Sequence, residues 1–134
     1  MRLLSNRVAT IARQASLPHL KVILDYRVAR AEDGTTMFVI LWEYEVKPGC
    51  EEVFEKVYGP NGDWARLFQS DLHYRETFLL RDVSRPRCYF TLDYWDTEKD
   101  FTQFKAARGA EYAELDRTTE GLTVSERRLA TFIL

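Results

Sequence analysis

Cysteine and histidine are scarce in this chain of 134 residues, which has only two of each. Neither Cys50 nor Cys88 has a second Cys or His at a zinc-binding spacing, so no structural zinc site is expected. Two cysteines in a chain long enough for a full hydrophobic core indicate reduced, buried side chains rather than a disulfide, and they favour a cytoplasmic location. No apolar run approaches the roughly 18 residues of a membrane span, so no transmembrane segment is predicted.

The chain also lacks an excess of positive charge, since its net charge is −2. The charge is unevenly distributed, because residues 1–36 carry six Lys and Arg against three Asp and Glu, whereas residues 37–134 carry 13 against 18. An acidic body without a basic stripe is a poor partner for phosphate backbones. Nucleic acid is therefore not an expected partner.

The first 36 residues differ in character from the rest and are interpreted as a basic N-terminal extension, a tail or a linker. The domain itself is assigned to residues 37–134. Four apolar residues at helical spacing leave a targeting peptide open as an alternative: Leu4, Val8, Ile11 and Ala15. Two further alternatives are translated sequence upstream of a start at Met37, and an extra strand over Lys21–Val28.

The elements predicted after Met37 follow a recognisable order. Alternating or amphipathic patterns predict a strand at 37–46, a helix at 50–58, a short helix at 64–69, a hairpin of strands at 73–81 and 87–95, a helix from Glu98 and a final strand at 126–134. Strict alternation in the first strand of the hairpin places Tyr74 and Phe78 on one face. The helix from Glu98 has a capping-box-like start at Thr97 and an expected irregularity at Gly109. This β-α-(α)-β-β-α-β order is typical of an α+β, ferredoxin-like fold with a four-stranded antiparallel sheet. Helices on one face of such a sheet would leave the other face to a partner, so a homodimer is expected.

Several short motifs carry a resemblance to a known family. The patterns W-x-Y-x-V-K-P-G, G-P-N-G-D-W-A-R-L-F, L-L-R-D and Y-F-T-L-D-Y-W all lie within residues 37–134. Together they resemble the antibiotic biosynthesis monooxygenase family. The resemblance implies a dimeric α/β barrel, and the family includes cofactor-independent oxygenases of polycyclic phenols, quinol monooxygenases and haem-degrading enzymes.

The haem-degrading branch is not the expected one. The resemblance would require an Asn in the first strand and a His ligand in the last helix. Trp42 stands near the Asn position, and residues 98–120 contain no His. Without a proximal ligand, haem binding is not expected.

The polyketide-oxidising members imply a set of pocket residues, and each has an alternative structural interpretation. Asn61 would bind substrate, but next to Gly62 it also fits a turn. Trp64 would be catalytic, or part of the core with an indole N–H that needs an acceptor. Tyr74 would orient a substrate hydroxyl or pack in the core or an interface, and Arg87 would bind an anionic oxygen or lie solvated in a turn.

Two further polar residues are candidates on their own chemistry. His73 is the only imidazole in the body and could act as a general base near neutral pH, although a solvated His at a strand start is the alternative. Asp93 lies in the middle of an apolar strand, flanked by Leu92 and Tyr94. If buried it needs a partner, which indicates either an interface ion pair with an arginine (Arg75, Arg127 or Arg128) or a carboxylate in the pocket that binds substrate.

The sequence contains no phosphate-binding glycine loop, dinucleotide fingerprint or G-x-S-x-G motif. The family resemblance implies a monooxygenase without a cofactor, which oxidises an electron-rich phenol, anthrone or quinol with O₂, and this is the expected function. A non-enzymatic module of the same fold, which binds a small aromatic ligand or simply dimerises, is the alternative.

Overall fold

The computed structural model describes residues 8–11 and 36–134. Its strands are β1 (Val8–Ile11), β2 (Phe38–Val46), β3 (Tyr74–Asp82), β4 (Cys88–Trp95) and β5 (Thr123–Ile133). Its α-helices are α1 (Glu51–Tyr58), α2 (Asp63–Phe68), α3 (Glu98–Ala107) and α4 (Gly109–Thr119), and a 3₁₀ turn over Glu120–Leu122 leads into β5. Among these described helices none is long and apolar enough to cross a membrane.

The sheet contains the predicted four antiparallel strands in the order β3-β4-β2-β5. This confirms the ferredoxin-like α+β fold. The sheet also contains one strand that was not predicted. This strand, β1, pairs in parallel with β3 at the edge of the sheet, with Val8 opposite Leu79. Residues 8–11 thus form a strand, although their apolar spacing also fits a helix. The suggested strand over Lys21–Val28 lies outside the described residues.

The turns that separate the elements follow from local chemistry. Pro48 and Gly49 end β2, and Gly49 has a φ of 85°, a conformation that a residue without a Cβ adopts at little cost. Thr97 caps α3 by accepting a hydrogen bond from the Asp100 N–H, as its sequence predicts. The predicted irregularity near Gly109 is a break at Arg108 that separates α3 from α4.

Both faces of the sheet are buried. The helices cover one face, where Phe38 and Ile40 pack against α2 and α3 and Tyr44 and Val46 pack against α1. The opposite face holds a separate buried cluster that includes Val39, which is fully inaccessible. The expectation that a second copy packs on this face stays a prediction.

A bulge in β3 changes which side chains face the helices. The register of β3 against β4 shifts between Tyr74 and Glu76. As a result Tyr74 packs in the helix-side cluster, whereas Phe78 lies in the cluster on the opposite face. The strict alternation expected from the sequence, with Tyr74 and Phe78 on one face, is wrong because the extra residue of a bulge re-aims the side chains before it.

Candidate functional site

A small cavity lies between the sheet and the helices, with a volume of about 40 Å³. Six aromatic side chains line it: Trp42, Tyr44, Tyr58, Trp64, Phe68 and Tyr112. Five polar side chains complete the lining: Thr77, Thr91, Asp93, Asp116 and Glu126. One water molecule needs roughly 10–15 Å³ of such a cavity, so there is room for about three atoms of that size.

The sheet supplies the polar floor of this cavity. Thr77 of β3 and Thr91 and Asp93 of β4 face the helices from adjacent strands, and Thr77 lies opposite Asp93 in the register. All three are buried. Because β4 is a central strand whose residues are all buried, polar groups at these positions must find partners inside the protein or in the cavity.

Asp93 has only one of its oxygens satisfied by the described residues. It is 7% exposed, and the Thr77 hydroxyl donates to its Oδ1 over 2.7 Å. The Tyr74 hydroxyl lies 2.9 Å from the Thr77 oxygen. Because Thr77 uses its single proton on Asp93, Tyr74 must be the donor in this second bond.

The environment of Asp93 favours its neutral form. Burial raises the pKa of this carboxyl to about 7, and the hydrogen bond from Thr77 opposes the rise. Arg75 pairs with Asp96 and Arg127 pairs with Glu43, and no ion pair of Asp93 with an arginine is seen among the described residues. An ion pair of Asp93 across an interface stays a prediction. A carboxylate with a pKa near neutrality at a cavity wall can accept and return a proton under ordinary conditions.

The phenols around the cavity remain protonated at neutral pH. Burial, followed by the charge of Asp93, raises the pKa of Tyr44 well above its usual value. Burial raises the pKa of Tyr58 to about 12 and raises that of Tyr112 further. These three groups, together with the indole of Trp64, therefore present neutral hydrogen-bond donors.

Trp64 lies in the cavity wall because of the close approach of α1 and α2. A Cβ on Gly62 would lie 2.3 Å from the carbonyl oxygen of Val57, so only glycine fits where α2 starts. The rings of Trp64 and Tyr112 pack edge to face, with centroids 5.0 Å apart. The Nε1 of Trp64 is buried and has no hydrogen-bond partner among the described residues. The Trp64 side chain lies near the Tyr58 hydroxyl and opposes part of the rise in the pKa of that phenol.

The helical wall of the cavity is the least buried part. On α4 only Thr119 is fully buried, and its hydroxyl accepts a hydrogen bond from Tyr58. Glu126 of β5 lies on the same side, and burial followed by the nearby charges of Asp116 and Glu120 raises the pKa of its carboxyl. Segments with few buried contacts open at the lowest free-energy cost.

The structure brings together only part of the residue set predicted from the sequence. Trp64 and Asp93 line the cavity, and Tyr74 reaches it through Thr77. Asn61 and Tyr74 line a separate cavity of about 170 Å³. Asn61 itself is exposed, and its main-chain carbonyl oxygen accepts a hydrogen bond from the Arg66 guanidinium.

Arg87 and His73 lie elsewhere. Arg87 sits in the turn before β4 with a φ of 62° and does not line the aromatic cavity. The ring of His73 is directed to two carboxylates, with Nδ1 3.1 Å from Asp96 and Nε2 3.8 Å from Asp100. The hydrogen bond to Asp96 is the main cause that raises the pKa of His73.

This group around His73 is the one place among the described residues where three possible metal ligands converge, with ligand atoms within 4.8 Å of one another. Asp96, however, is already paired with Arg75. The charge of this group is thus largely satisfied by the protein itself.

Sequence reasoning missed Thr77, Tyr44, Tyr58 and Tyr112 as site residues. The detectable signal was the run of polar residues at alternate positions of β4, Thr91 and Asp93, in an otherwise apolar strand. Thr77 could not be assigned to the same face, because the bulge at the start of β3 is not visible in the alternation.

Comparison with known proteins gives structural matches only. Neither a protein-family model nor a curated protein matches the sequence. Among solved structures, a variant of SnoaB, a cofactor-independent oxygenase from Streptomyces nogalater, superimposes with a TM-score of 0.54 at 17% identity, over 73% of this chain and 90% of that chain.

Two further structures give the same picture. A provisionally named antibiotic biosynthesis monooxygenase from Bordetella bronchiseptica has a TM-score of 0.55 at 17% identity, over 75% of this chain and 96% of that chain. Another, from Nitrosomonas europaea, has a TM-score of 0.53 at 18% identity, over 73% and 88%. The chain therefore has the fold seen in structures named as antibiotic biosynthesis monooxygenases, as its sequence motifs predicted.

Proposed function

We propose that the aromatic cavity is the site of a cofactor-independent monooxygenation, in which Asp93 is the general base. The single observation that carries this proposal is the buried Asp93 carboxyl at the cavity wall, with one free oxygen, no cationic partner among the described residues and a pKa raised by burial to about 7. The fold shared with a cofactor-independent oxygenase supports the reaction class.

The proposed reaction converts an activated CH₂ group of an electron-rich aromatic, such as an anthrone, to a carbonyl. One oxygen atom of O₂ enters the product, the other leaves as water, and the substrate supplies both hydrogens and the electrons. Asp93 first takes a C–H proton, and the resulting carbanion passes one electron to O₂. The two radicals combine to a peroxide, which gains a proton, and loss of the second C–H proton expels water and forms the carbonyl.

The residues of the cavity suit this charge pattern. The negative charge moves from Asp93 to the substrate and does not increase, so no arginine is needed to balance it. The buried N–H of Trp64 is an unused donor that can stabilise a developing oxygen anion. In this proposal Trp64 keeps the role that the sequence suggested, whereas the general base is Asp93 and not His73.

The size of the cavity sets a further requirement. About 40 Å³ admits O₂ or a few atoms of a substrate, whereas small-molecule sites usually have several hundred Å³. The aromatic body of a substrate must therefore displace part of the α4 wall, which has few buried contacts. The same small volume favours a second candidate function, a module that binds a small ligand without chemistry.

An oxygen electrode tests the proposal with a panel of anthrones, quinols and catechols. We expect the Asp93→Asn variant to lose about 10²- to 10⁴-fold in kcat, the usual contribution of a general base. The rate of the wild type should rise with pH to a plateau above about pH 7, because the base must be ionised. The matched control is Glu114→Gln, an exposed change on α4. Oxygen consumption by no member of the panel, or full activity of Asp93→Asn, would contradict the proposal.

The homodimer and the cytoplasmic location remain predictions.

A further inference from the structure

The charges around the cavity are of one sign. Asp93, Asp116 and Glu126 line it, and no Lys, Arg or His is among the described lining residues. None of the three carboxylates forms an ion pair within the described part of the chain. Asp116 and Glu126 are exposed, whereas Asp93 is buried. A buried carboxylate without a cation is costly, so it is normally paired or its pKa rises until it is neutral.

A second buried carboxylate shows how this chain otherwise meets that cost. Asp82 is 3% exposed and pairs with Arg85. Burial raises its pKa, but the hydrogen bonds from Ser84 and the pair with Arg85 outweigh this and hold the pKa below its usual value. Asp93 has no such cation among the described residues, and burial raises its pKa instead, so only its ionised form lacks a counter-charge there.

The remaining wall consists of the faces and edges of aromatic rings. Trp42 and Tyr44 come from the sheet, Tyr58 and Trp64 from the first two helices, and Tyr112 from α4. Aromatic rings attract cations through their negative faces, most strongly where water is excluded, and rings together with carboxylates form the usual site for organic ammonium groups.

The nearest protein cations are outside this wall. The Lys105 ammonium lies 4.9 Å from the centroid of Tyr112, and Arg128 acts on the same phenol by its charge. Neither is among the causes that set the protonation of Asp93. Lys105 belongs to α3 and Arg128 to β5, and neither forms an ion pair with a carboxylate of the cavity among the described residues.

We propose that the cavity binds a small organic cation, an alkylammonium group, beside Asp93 and within the aromatic wall. The volume of about 40 Å³ fits a headgroup of about three heavy atoms. The inference does not depend on the oxygenase reaction, because the amine is a ligand whether or not it is oxidised. If turnover occurs, it predicts that the preferred substrates carry a protonated amine.

Binding of the cation must compete with the proton on Asp93. The groups that face this carboxyl are Thr77 and Tyr74 of β3, Tyr44 of β2, Tyr112 and Asp116 of α4, and Glu126 of β5. Burial raises the pKa of each of these phenols, so they stay protonated at neutral pH. With a pKa of about 7, Asp93 is about one-tenth ionised at pH 6 and nine-tenths ionised at pH 8.

The test is titration calorimetry with ethylammonium, ethanol and propionate as cationic, neutral and anionic probes, supported by the fluorescence of Trp42 and Trp64. Alkylammonium ions remain charged from pH 6 to pH 8, as the lysine side chain does. We expect the Kd of ethylammonium to be at least tenfold lower than that of ethanol at pH 8, and no binding of propionate. Between pH 8 and pH 6 the affinity for ethylammonium should fall about tenfold, with proton release visible in buffers of different ionisation enthalpy.

Variants complete the test. Asp93→Asn should weaken ethylammonium binding at least tenfold and remove its pH dependence, whereas Glu114→Gln should behave like the wild type. Should Asp93→Asn fail to fold, Glu126→Gln serves instead, with an expected loss of threefold or more. Equal affinity for ethylammonium and ethanol, no binding of ethylammonium, or unchanged pH dependence in Asp93→Asn would overturn the inference. Binding without oxygen consumption would refute the oxygenase proposal alone.

Discussion

The protonation of Asp93 has a measurable consequence for stability. In the unfolded chain its pKa is near 3.8, and in the folded chain burial raises it to about 7. The folded state thus holds this proton more tightly than the unfolded state. The contribution of Asp93 to the free energy of unfolding is fully present below about pH 4 and is lost as the pH rises to 7. At about 1.4 kcal/mol per pH unit, the loss at pH 8 is on the order of 4 kcal/mol.

The Asp93→Asn variant cannot ionise, and its amide oxygen can still accept the hydrogen bond from Thr77. We therefore expect it to match the wild type near pH 4 and to be more stable by several kcal/mol at pH 8. Urea denaturation at pH 4.5, 6, 7 and 8 measures this as a rise in midpoint at constant slope. The difference between the two proteins isolates Asp93, because all other titrating groups are common to both.

Asp82→Asn is the matched control, since Asp82 is equally buried but has a lowered pKa. Its ionised form stabilises the fold, so this variant should be less stable than the wild type at every pH above about 5. A stability difference for Asp93→Asn that is the same at pH 4.5 and pH 8 would refute the reasoning, because it would show that Asp93 does not ionise in this range.

Three further substitutions test the neighbouring interactions. Thr77→Val removes the hydroxyl donor and should raise the pKa of Asp93 further, as followed by carboxyl ¹³C chemical shifts, whereas Thr77→Ser should leave it unchanged. His73→Ala should leave oxygen consumption within about twofold of the wild type, because this half-exposed ring lies outside the cavity; a loss comparable to that of Asp93→Asn would restore it as the base. Gly49→Ala should lower the free energy of unfolding by about 1 kcal/mol, since the residue has a positive φ, and no change in a urea titration would contradict the requirement for glycine there.

The sequence was informative where local patterns determine structure. The alternation in β2 and β4, the cap at Thr97 and the break near Gly109 are local features, and each was located to within a few residues. The polar residue in the middle of β4, Asp93, stood out for the same reason. These features determine the fold of the antiparallel sheet and one essential residue of the candidate site.

The remaining site residues depend on contacts between distant segments. The bulge in β3 reverses the expected face of Tyr74 relative to Phe78, and it places Thr77 against Asp93. Arg87 was assigned to the site by analogy of position, but it does not line the aromatic cavity. The pairing of Val8–Ile11 with β3 could not be predicted either, because a four-residue apolar pattern fits a helix as well as an edge strand.

The second face of the sheet carries the expectation for assembly. A homodimer was predicted because helices cover only one side of the sheet, and this remains a prediction. Leu41 and Leu92 belong to the apolar cluster on the second side, which is separate from the clusters packed against the helices. A second copy that packs on this side would keep these groups away from water. Sedimentation should then show a dimer of the 15.8 kDa chain that persists on dilution, and a monomer at micromolar concentration would contradict the predicted homodimer.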